Sequence, residues 1–370
     1  MSTTKSYIPL LKREVLPNLP QSCMSGDIQL FAVENNQILV IRSTRKGSIK
    51  ILLVDPMTGK SQSQKIPLKK ANMVLRIDNQ RFVFIKQHLE EGSTKADYLL
   101  WNRQTKEESF FVGDMPPACT IRYDVWEDKL FLIACYSVGG SSGGFEWKSD
   151  GAFAATILLD NFGFEQPFHE IEDLDVQMMA MLDARTCFIQ AFGRTRSYFH
   201  VRDASRATVQ GSDNPNVFYK KIDLEPNYRY RLSPSGRASD GGLLFFGEDY
   251  CAPINALFRW SLDCPEFKEI GRWEDFDGYY SSTALLNDGS TLIICSERQK
   301  PDMLVRRYIP GQKAVDIAKI EDVYSLYDIV QGMDGRLYLF GYNNALKDGK
   351  WLIAGELQFS VVDINGLFVE

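Results

Sequence analysis

Residues 287–294 read NDGSTLII: a polar turn with a glycine in it, then an unbroken apolar run. The same sentence is written six more times. It appears as NNQILVIR from Asn35, DNQRFVFI from Asp78, EDKLFLIA from Glu127 and DARTCFIQ from Asp183, then as DGGLLFFG from Asp240 and MDGRLYLF from Met333. Anchored on Asn36, Asn79, Asp128, Ala184, Gly241, Gly289 and Gly335, the spacings are 43, 49, 56, 57, 48 and 46 residues. Self-similarity at this period marks an architecture built from repeated sheets.

The surroundings of each anchor repeat as well. A strand of mixed polarity precedes the turn (SSTALL, YRYRLS, YDIVQ), and the apolar strand follows it. A variable loop, a third strand (ALFRWSL, MLVRRYI, LQFSVVD), a tight turn and a short polar strand complete the unit. A strand covered on one face alternates in polarity, whereas one covered on both faces is apolar throughout. The second strand of every unit is therefore expected to lie between two neighbouring sheets. No long apolar period of 3.6 residues occurs, so helices should be few.

This pattern resembles the β-propeller superfamily over residues 26–370. The fold expected is all-β: a seven-bladed propeller of four-stranded antiparallel blades, ordered from an innermost strand a to an outermost strand d. The Gly-His and Trp-Asp dipeptides of WD40 repeats, the paired glycines of kelch repeats and the sialidase-type Asp box are missing, so the resemblance implies an architecture and no particular activity. Residues 1–25 read as an N-terminal extension. The last blade can take its own strand d from GLFVE, and the SYIPLLKREVL segment can serve as an extra latch strand on that blade, joining the two chain ends.

The chain has 370 residues and a formal charge of −6. Mild acidity disfavours nucleic acid and anionic membrane surfaces as partners. The longest apolar run near the N-terminus, YIPLL, is too short for a signal-peptide core, and no run approaches the ~20 residues that span a bilayer. Seven cysteines with no close pair, three of them in apolar runs (Cys135, Cys187, Cys295), read as small core residues in a reducing, cytoplasmic setting.

Chemistry is sparse. His88, His169 and His200 have no metal-ligand spacing. GGSSG at 139–143 fits a nucleophile motif in letters, but no helix follows it, so it reads as part of a long loop carrying Phe145 and Trp147. The clearest constellation is WEDFDGYY at 273–280, where strand d of the fifth blade passes into strand a of the sixth. Such d–a connections lie at the same end of a propeller as the b–c loops. At this end the sequence gathers Glu274, Asp275, Asp277, Glu321 and Asp322, the tyrosines Tyr228, Tyr230, Tyr279, Tyr280, Tyr324 and Tyr327, and basic b–c loop residues including Arg194 and Arg196. Tyrosine and arginine together have the composition of protein-binding hot spots. Alternation along strand a is expected to bury about half of the tyrosines, and acids at strand entries also serve local turns.

These residues favour a non-catalytic protein-binding propeller, of the adaptor, inhibitor or immunity-type kind, engaging another protein through this end near blades 5–7. It needs no cofactor. The alternative is a metal-dependent hydrolase or lactonase with carboxylates holding calcium near the axial channel. A small molecule in that channel is the other ligand class the architecture admits.

Overall fold

A computed structural model describes residues 8–16, 27–43, 49–88, 94–116, 120–137, 149–172, 175–184, 186–192, 197–203, 220–221, 230–249, 251–274 and 276–368. The loop 138–148, with GGSSG, Phe145 and Trp147, lies outside the described residues. The chain divides into two compact units, one made of Met1–Lys46, Lys50–Lys65 and Leu224–Glu370, the other of Gly47–Ile49 and Ile66–Asp223.

Among the described residues the strands form seven sheets, and strands a to d follow chain order in all but the seventh. In the first unit the first sheet is Asp27–Val33, Gln37–Ser43, Ile49–Val54 and Ser61–Gln64. The fifth is Tyr230–Arg237, Leu243–Asp249, Asn255–Trp260 and Lys268–Trp273, and the sixth is Gly278–Leu285, Thr291–Glu297, Met303–Tyr308 and Val315–Ile320. The seventh is Ser325–Gln331, Leu337–Lys347 and Trp351–Val362, completed by Arg13–Val15 from the other end of the chain. The second unit holds the second sheet (Met73–Arg76, Arg81–Gln87, Lys95–Asn102, Glu108–Asp114) and the third (Thr120–Trp126, Lys129–Ser137, Ser149–Leu158, Gly163–Glu172). Its fourth sheet is Asp175–Met181, Thr186–Phe192, Ser197–Asp203 and Lys220–Lys221. No helix among the described residues is long and apolar enough to cross a membrane.

The apolar b strands are buried on both faces, and neighbouring residues serve different cores. In Thr291–Glu297, Leu292 and Ile294 pack between the sixth and seventh sheets, while Ile293 and Cys295 pack between the fifth and sixth. In Leu337–Lys347, Leu337 and Leu339 face the sixth sheet, and Tyr338 and Phe340 face the first. The second unit repeats this: Leu130 and Leu132 meet the second sheet, Phe131 and Ile133 the fourth. A polar residue on either face would need a partner within the core, which is why the runs are mostly apolar and admit few, such as Gln190 and Thr291.

The a–b turns explain the repeat anchors. Gly241, Gly289 and Gly335 have φ of +80, +81 and +81°, a left-handed backbone that only glycine adopts freely. The aspartate just before each accepts the turn's own N–H: Asp240 from Gly242, Asp288 from Ser290, Asp334 from Arg336. An arginine then clamps each carboxylate, Arg259 on Asp240 at 2.8 Å, Arg307 on Asp288 at 2.6 Å and Arg336 on Asp334 at 2.6 Å. In the second unit Arg81 does the same for Asp78 at 2.7 Å.

Burial alone would raise the carboxyls of Asp78, Asp288 and Asp334, but these hydrogen bonds outweigh it and hold all three below the usual carboxylate range. The ionised form is thus favoured by folding. Its contribution is complete above the unfolded value of about 3.9 and is lost as pH falls through the lowered folded values. We expect urea midpoints to drop below about pH 4, and Asp288→Asn/Asp334→Asn to remove part of that slope. The effect should be about 1 kcal/mol or less per group, because these pairs are partly solvent-screened.

Adjacent inner strands are laced by side chains bonding to backbone. In the first unit Tyr280 Oη donates to Ser235 O (3.3 Å), Leu326 N donates to Ser281 Oγ (3.2 Å), and Leu30 N donates to Asp328 Oδ2 (2.6 Å). In the second, Arg76 N donates to Tyr123 Oη (3.0 Å) and Met181 N to Asp124 Oδ2 (2.7 Å). Register shifts place bulges at Ser235, Ser281 and Tyr327 in strand a of the fifth, sixth and seventh sheets. A bulge frees groups from the ladder, and here the carbonyl of Ser235 and the hydroxyl of Ser281 turn to the neighbouring sheet.

The fourth strand of the seventh sheet is not GLFVE: residues Asn365–Leu367 form a single 3-10 turn. Arg13–Val15 occupies that edge, antiparallel to Ser360–Val362. Just before it, Leu10–Leu11 runs parallel to Lys319–Ile320 as a fifth strand of the sixth sheet. The segment 8–16 therefore straps the sixth and seventh sheets together.

Candidate functional site

The end of the first unit that carries its b–c loops and d–a connections is where the sequence places its tyrosines and acids. The structure confirms that these segments meet. Arg298 N, in the b–c loop of the sixth sheet, donates to Asp277 O, and Phe276 N donates to Pro253 O in the b–c loop of the fifth. Asn344 of the seventh sheet donates its Nδ2 to Pro301 O at 2.7 Å and its N to Asp322 Oδ1 at 3.1 Å.

WEDFDGYY divides into structural and solvent-facing residues. Trp273 and Phe276 face inward, and both stack on the guanidinium of Arg306, at 3.6 and 4.3 Å from the ring centroids. Gly278 is required by close approach, because a Cβ there would collide with Ser296 O and the Phe276 ring. Tyr280 lies between the fifth and sixth sheets, and burial pushes its hydroxyl up to about 12. Glu274, Asp277 and Tyr279 are exposed.

The remaining candidates separate in the same way. Tyr230 is 3% exposed and packs edge-on to Phe258 at 5.3 Å, so it builds the sheet and offers no contact surface. Glu321 and Asp322 hold the N-terminal strap: Arg13 N donates to Glu321 Oε1, and Arg13 Nη2 pairs with Asp322 Oδ2, both at 3.1 Å. Tyr324 is half-buried, its N–H donating to Tyr342 O and its carbonyl accepting from Ser296 Oγ. Tyr327, the bulged residue of its strand, is 49% exposed. Its ring lies 5.7 Å from that of Tyr342. Tyr228, Asp275, Arg194 and Arg196 lie outside the described residues.

Around Asp277 the structure gathers charges of both signs, with Glu248 the member that the sequence pattern did not single out. Arg231 and Glu248 stand opposite each other across strands a and b of the fifth sheet. Arg298 pairs with Asp277 at 3.2 Å in an exposed bridge. Burial raises the Glu248 carboxyl against the pull of Arg231 and Arg298, with Asp277 adding to the rise. This is a mixed-sign rim suited to orienting a partner. A strand-end arginine opposite it is the only sequence signal for Glu248.

Among the described residues, no three His, Cys, Asp or Glu side chains converge as a metal site. His88 is occupied in the second unit: its Nε2 lies 2.8 Å from Asp97 Oδ1, and Lys86 Nζ lies 3.1 Å from Asp97 Oδ2.

Similarity to solved structures decides the fold. The streptogramin B lyase structure superposes with a TM-score of 0.53 at 10% identity, over 96% of this chain and 97% of that one. Oligogalacturonate lyase from Vibrio parahaemolyticus gives 0.55 at 9% identity, over 93% and 91%. The β-propeller domain of the Trilobed protease from Pyrococcus furiosus gives 0.52 at 11%, over 92% and 95%.

The fold is a β-propeller.

That propeller domain has an open velcro topology, whereas in the present propeller strands from both chain ends pair in the seventh sheet. No family model and no curated protein sequence matches the chain. At 9–12% identity these neighbours carry the fold and not an activity.

Proposed function

We propose that the seven sheets are the blades of a seven-bladed, non-catalytic propeller that binds another protein at its b–c loop end, on the fifth to seventh blades. The repeat spacing and the side-chain bonds between successive inner strands support the blade count. The observation that carries the functional reading is the sorting of the tyrosines. Tyr280 and Tyr230 are locked in the packing, while Tyr279 (37%) and Tyr327 (49%) stand exposed on the neighbouring inner strands of the sixth and seventh sheets. Arg231, Asp277 and Arg298 flank them with charges of both signs. Aromatic anchors on a rigid base, rimmed by polar groups, form a protein-binding surface. Cys135, Cys187 and Cys295 are buried in the packing between sheets, as small core residues of a reducing, cytosolic setting would be.

The test is affinity capture with wild type and a Tyr279→Ala/Tyr327→Ala variant. Both side chains are solvent-facing, so the variant should unfold at the wild-type temperature yet lose its partner by about tenfold or more, as two aromatic anchors would. Undiminished recovery of every partner would remove the surface from consideration. The metal-dependent hydrolase needs a donor set. A thermal shift on adding calcium that Asp277→Asn abolishes would favour it.

A further inference from the structure

The outer edges of the seven sheets are not alike. A strand edge left open is a template for another strand, and proteins blunt it by shortness, charge, proline, bulges or a cover. The first sheet ends in four polar residues, Ser61–Gln64, and the fourth in the two residues Lys220–Lys221. The third ends in a strand with three register shifts and Pro167 in it. The fifth has a register shift and carries Lys268 and Arg272. The sixth is covered by Leu10–Leu11, and the seventh ends in the three residues Arg13–Val15.

Among the described residues the second sheet relies on none of these devices except an acidic residue at each end, Glu108 and Asp114. Its outer strand Glu108–Asp114 runs seven residues in unbroken register, with no proline, lysine or arginine. Phe110 and Val112 are each 55% exposed. Bonds at both ends of the strand fix which backbone groups are free. Asn102 N donates to Glu107 O, and Met115 N donates to Thr94 O. In an antiparallel ladder, bonded residues alternate. The odd-numbered residues thus bond strand c, and Glu108, Phe110 and Val112 turn their N–H and C=O groups outward; Asp114 turns its N–H outward, while its C=O accepts from Tyr98 Oη at 3.2 Å.

We propose that this edge accepts an extended segment of a partner protein as an added antiparallel strand, apolar at alternate positions and bearing Lys or Arg at both ends. The charges choose the occupant. A second copy of the same strand, paired antiparallel about Phe111, would set Glu108 against Asp114 twice, and like charges directly opposite are destabilising. A basic-ended strand reverses that sign at both places. The Lys95–Asp114 bridge, with both side chains more than half exposed, does little to cancel it. Main-chain bonds would supply affinity and the Phe110/Val112 surface selectivity. This edge belongs to the second unit, and the inference does not rest on the tyrosine surface.

The test uses labelled peptides KTVTVTK and ETVTVTE, whose end residues are spaced as Glu108 and Asp114 are, in fluorescence anisotropy, with hydrogen exchange to locate the contact. The basic-ended peptide should bind at least about tenfold tighter than the acid-ended one and slow exchange at Phe110, Val112 and Asp114. Val112→Pro removes an outward N–H without touching the inner ladder and should weaken binding about tenfold. Phe110→Lys, which leaves the backbone intact, should do the same at an unchanged unfolding temperature. The proposal is overturned if KTVTVTK does not bind, if the two peptides bind alike, if folded variants bind undiminished, or if the wild type dimerises through this edge and Phe110→Lys makes it monomeric.

Discussion

Replacing Asp316 with alanine should lower the unfolding free energy by about 3–5 kcal/mol, the cost of leaving a buried charge without its partner. Arg306 is fully buried, 0% exposed, in strand c of the sixth sheet. Its Nε donates to Asp316 Oδ1 at 3.0 Å and its Nη1 to Cys295 Sγ at 3.4 Å. Trp273 and Phe276 from the fifth sheet and its exit stack on the guanidinium. The aromatic faces offset some of the desolvation, but only Asp316 supplies a countercharge in contact. Burial pushes the Asp316 carboxyl up, opposed by Arg306 and by a hydrogen bond from Trp273. Removing the whole pair is a different matter. Arg306→Met/Asp316→Leu fills the same space with apolar atoms, and such replacements of buried pairs are often neutral. Urea denaturation of the three proteins checks both statements. A loss under about 1 kcal/mol for Asp316→Ala would show that the guanidinium is held by the rings alone.

The second large effect concerns the N-terminal strap. Deleting residues 1–16 should cost a few kcal/mol and make the protein prone to self-association. Besides the ladder of Arg13–Val15 on Ser360–Val362, the strap makes five hydrogen bonds to the sixth and seventh sheets: Lys319 N to Pro9 O, Glu321 N to Leu11 O, Leu16 N to Phe359 O, Arg13 N to Glu321 Oε1 and Arg13 Nη2 to Asp322 Oδ2. Each contributes roughly 1 kcal/mol, and burial of Leu16 adds about 2 kcal/mol, before the entropy of ordering the segment is subtracted. Its removal also uncovers Phe359–Val362 at the outer edge of the seventh sheet, which is the kind of open edge that pairs with other chains. Light scattering and thermal unfolding of the truncated protein read both effects. Adding a peptide of residues 8–16 should restore the melting temperature. A truncated protein that stays monomeric and melts with the wild type would show that the strap is dispensable.

Much of the architecture is legible in the chain because its causes are local. The turn aspartates and the left-handed glycines Gly241, Gly289 and Gly335 recur because a tight a–b turn needs them. The b strands read as apolar runs because each packs against two neighbours. The candidate surface was less legible. Alternation along strand a predicts that half the tyrosines are buried, but not which half, because each bulge resets the count. Tyr280 stands opposite Cys295 and faces the fifth sheet, whereas Ser282, two residues on, stands opposite Ile294, whose side chain lies in the core shared with the seventh. Without the bulge at Ser281 both would face the same way.

What the sequence determined by itself is the repeated unit: its turn, its doubly covered strand and its period, all set by contacts within about 50 residues. What only the tertiary structure decided is which charged and aromatic side chains remain for function. Arg306 and Arg307 are adjacent in MLVRRYI, yet one is sealed among rings and the other clamps a surface turn. Glu321 and Asp322 look like surface acids and instead fasten Arg13, some 300 residues away along the chain. The reason is physical: the side a residue faces is fixed by bulges and by the partner strand, and that partner can come from the far end of the polypeptide.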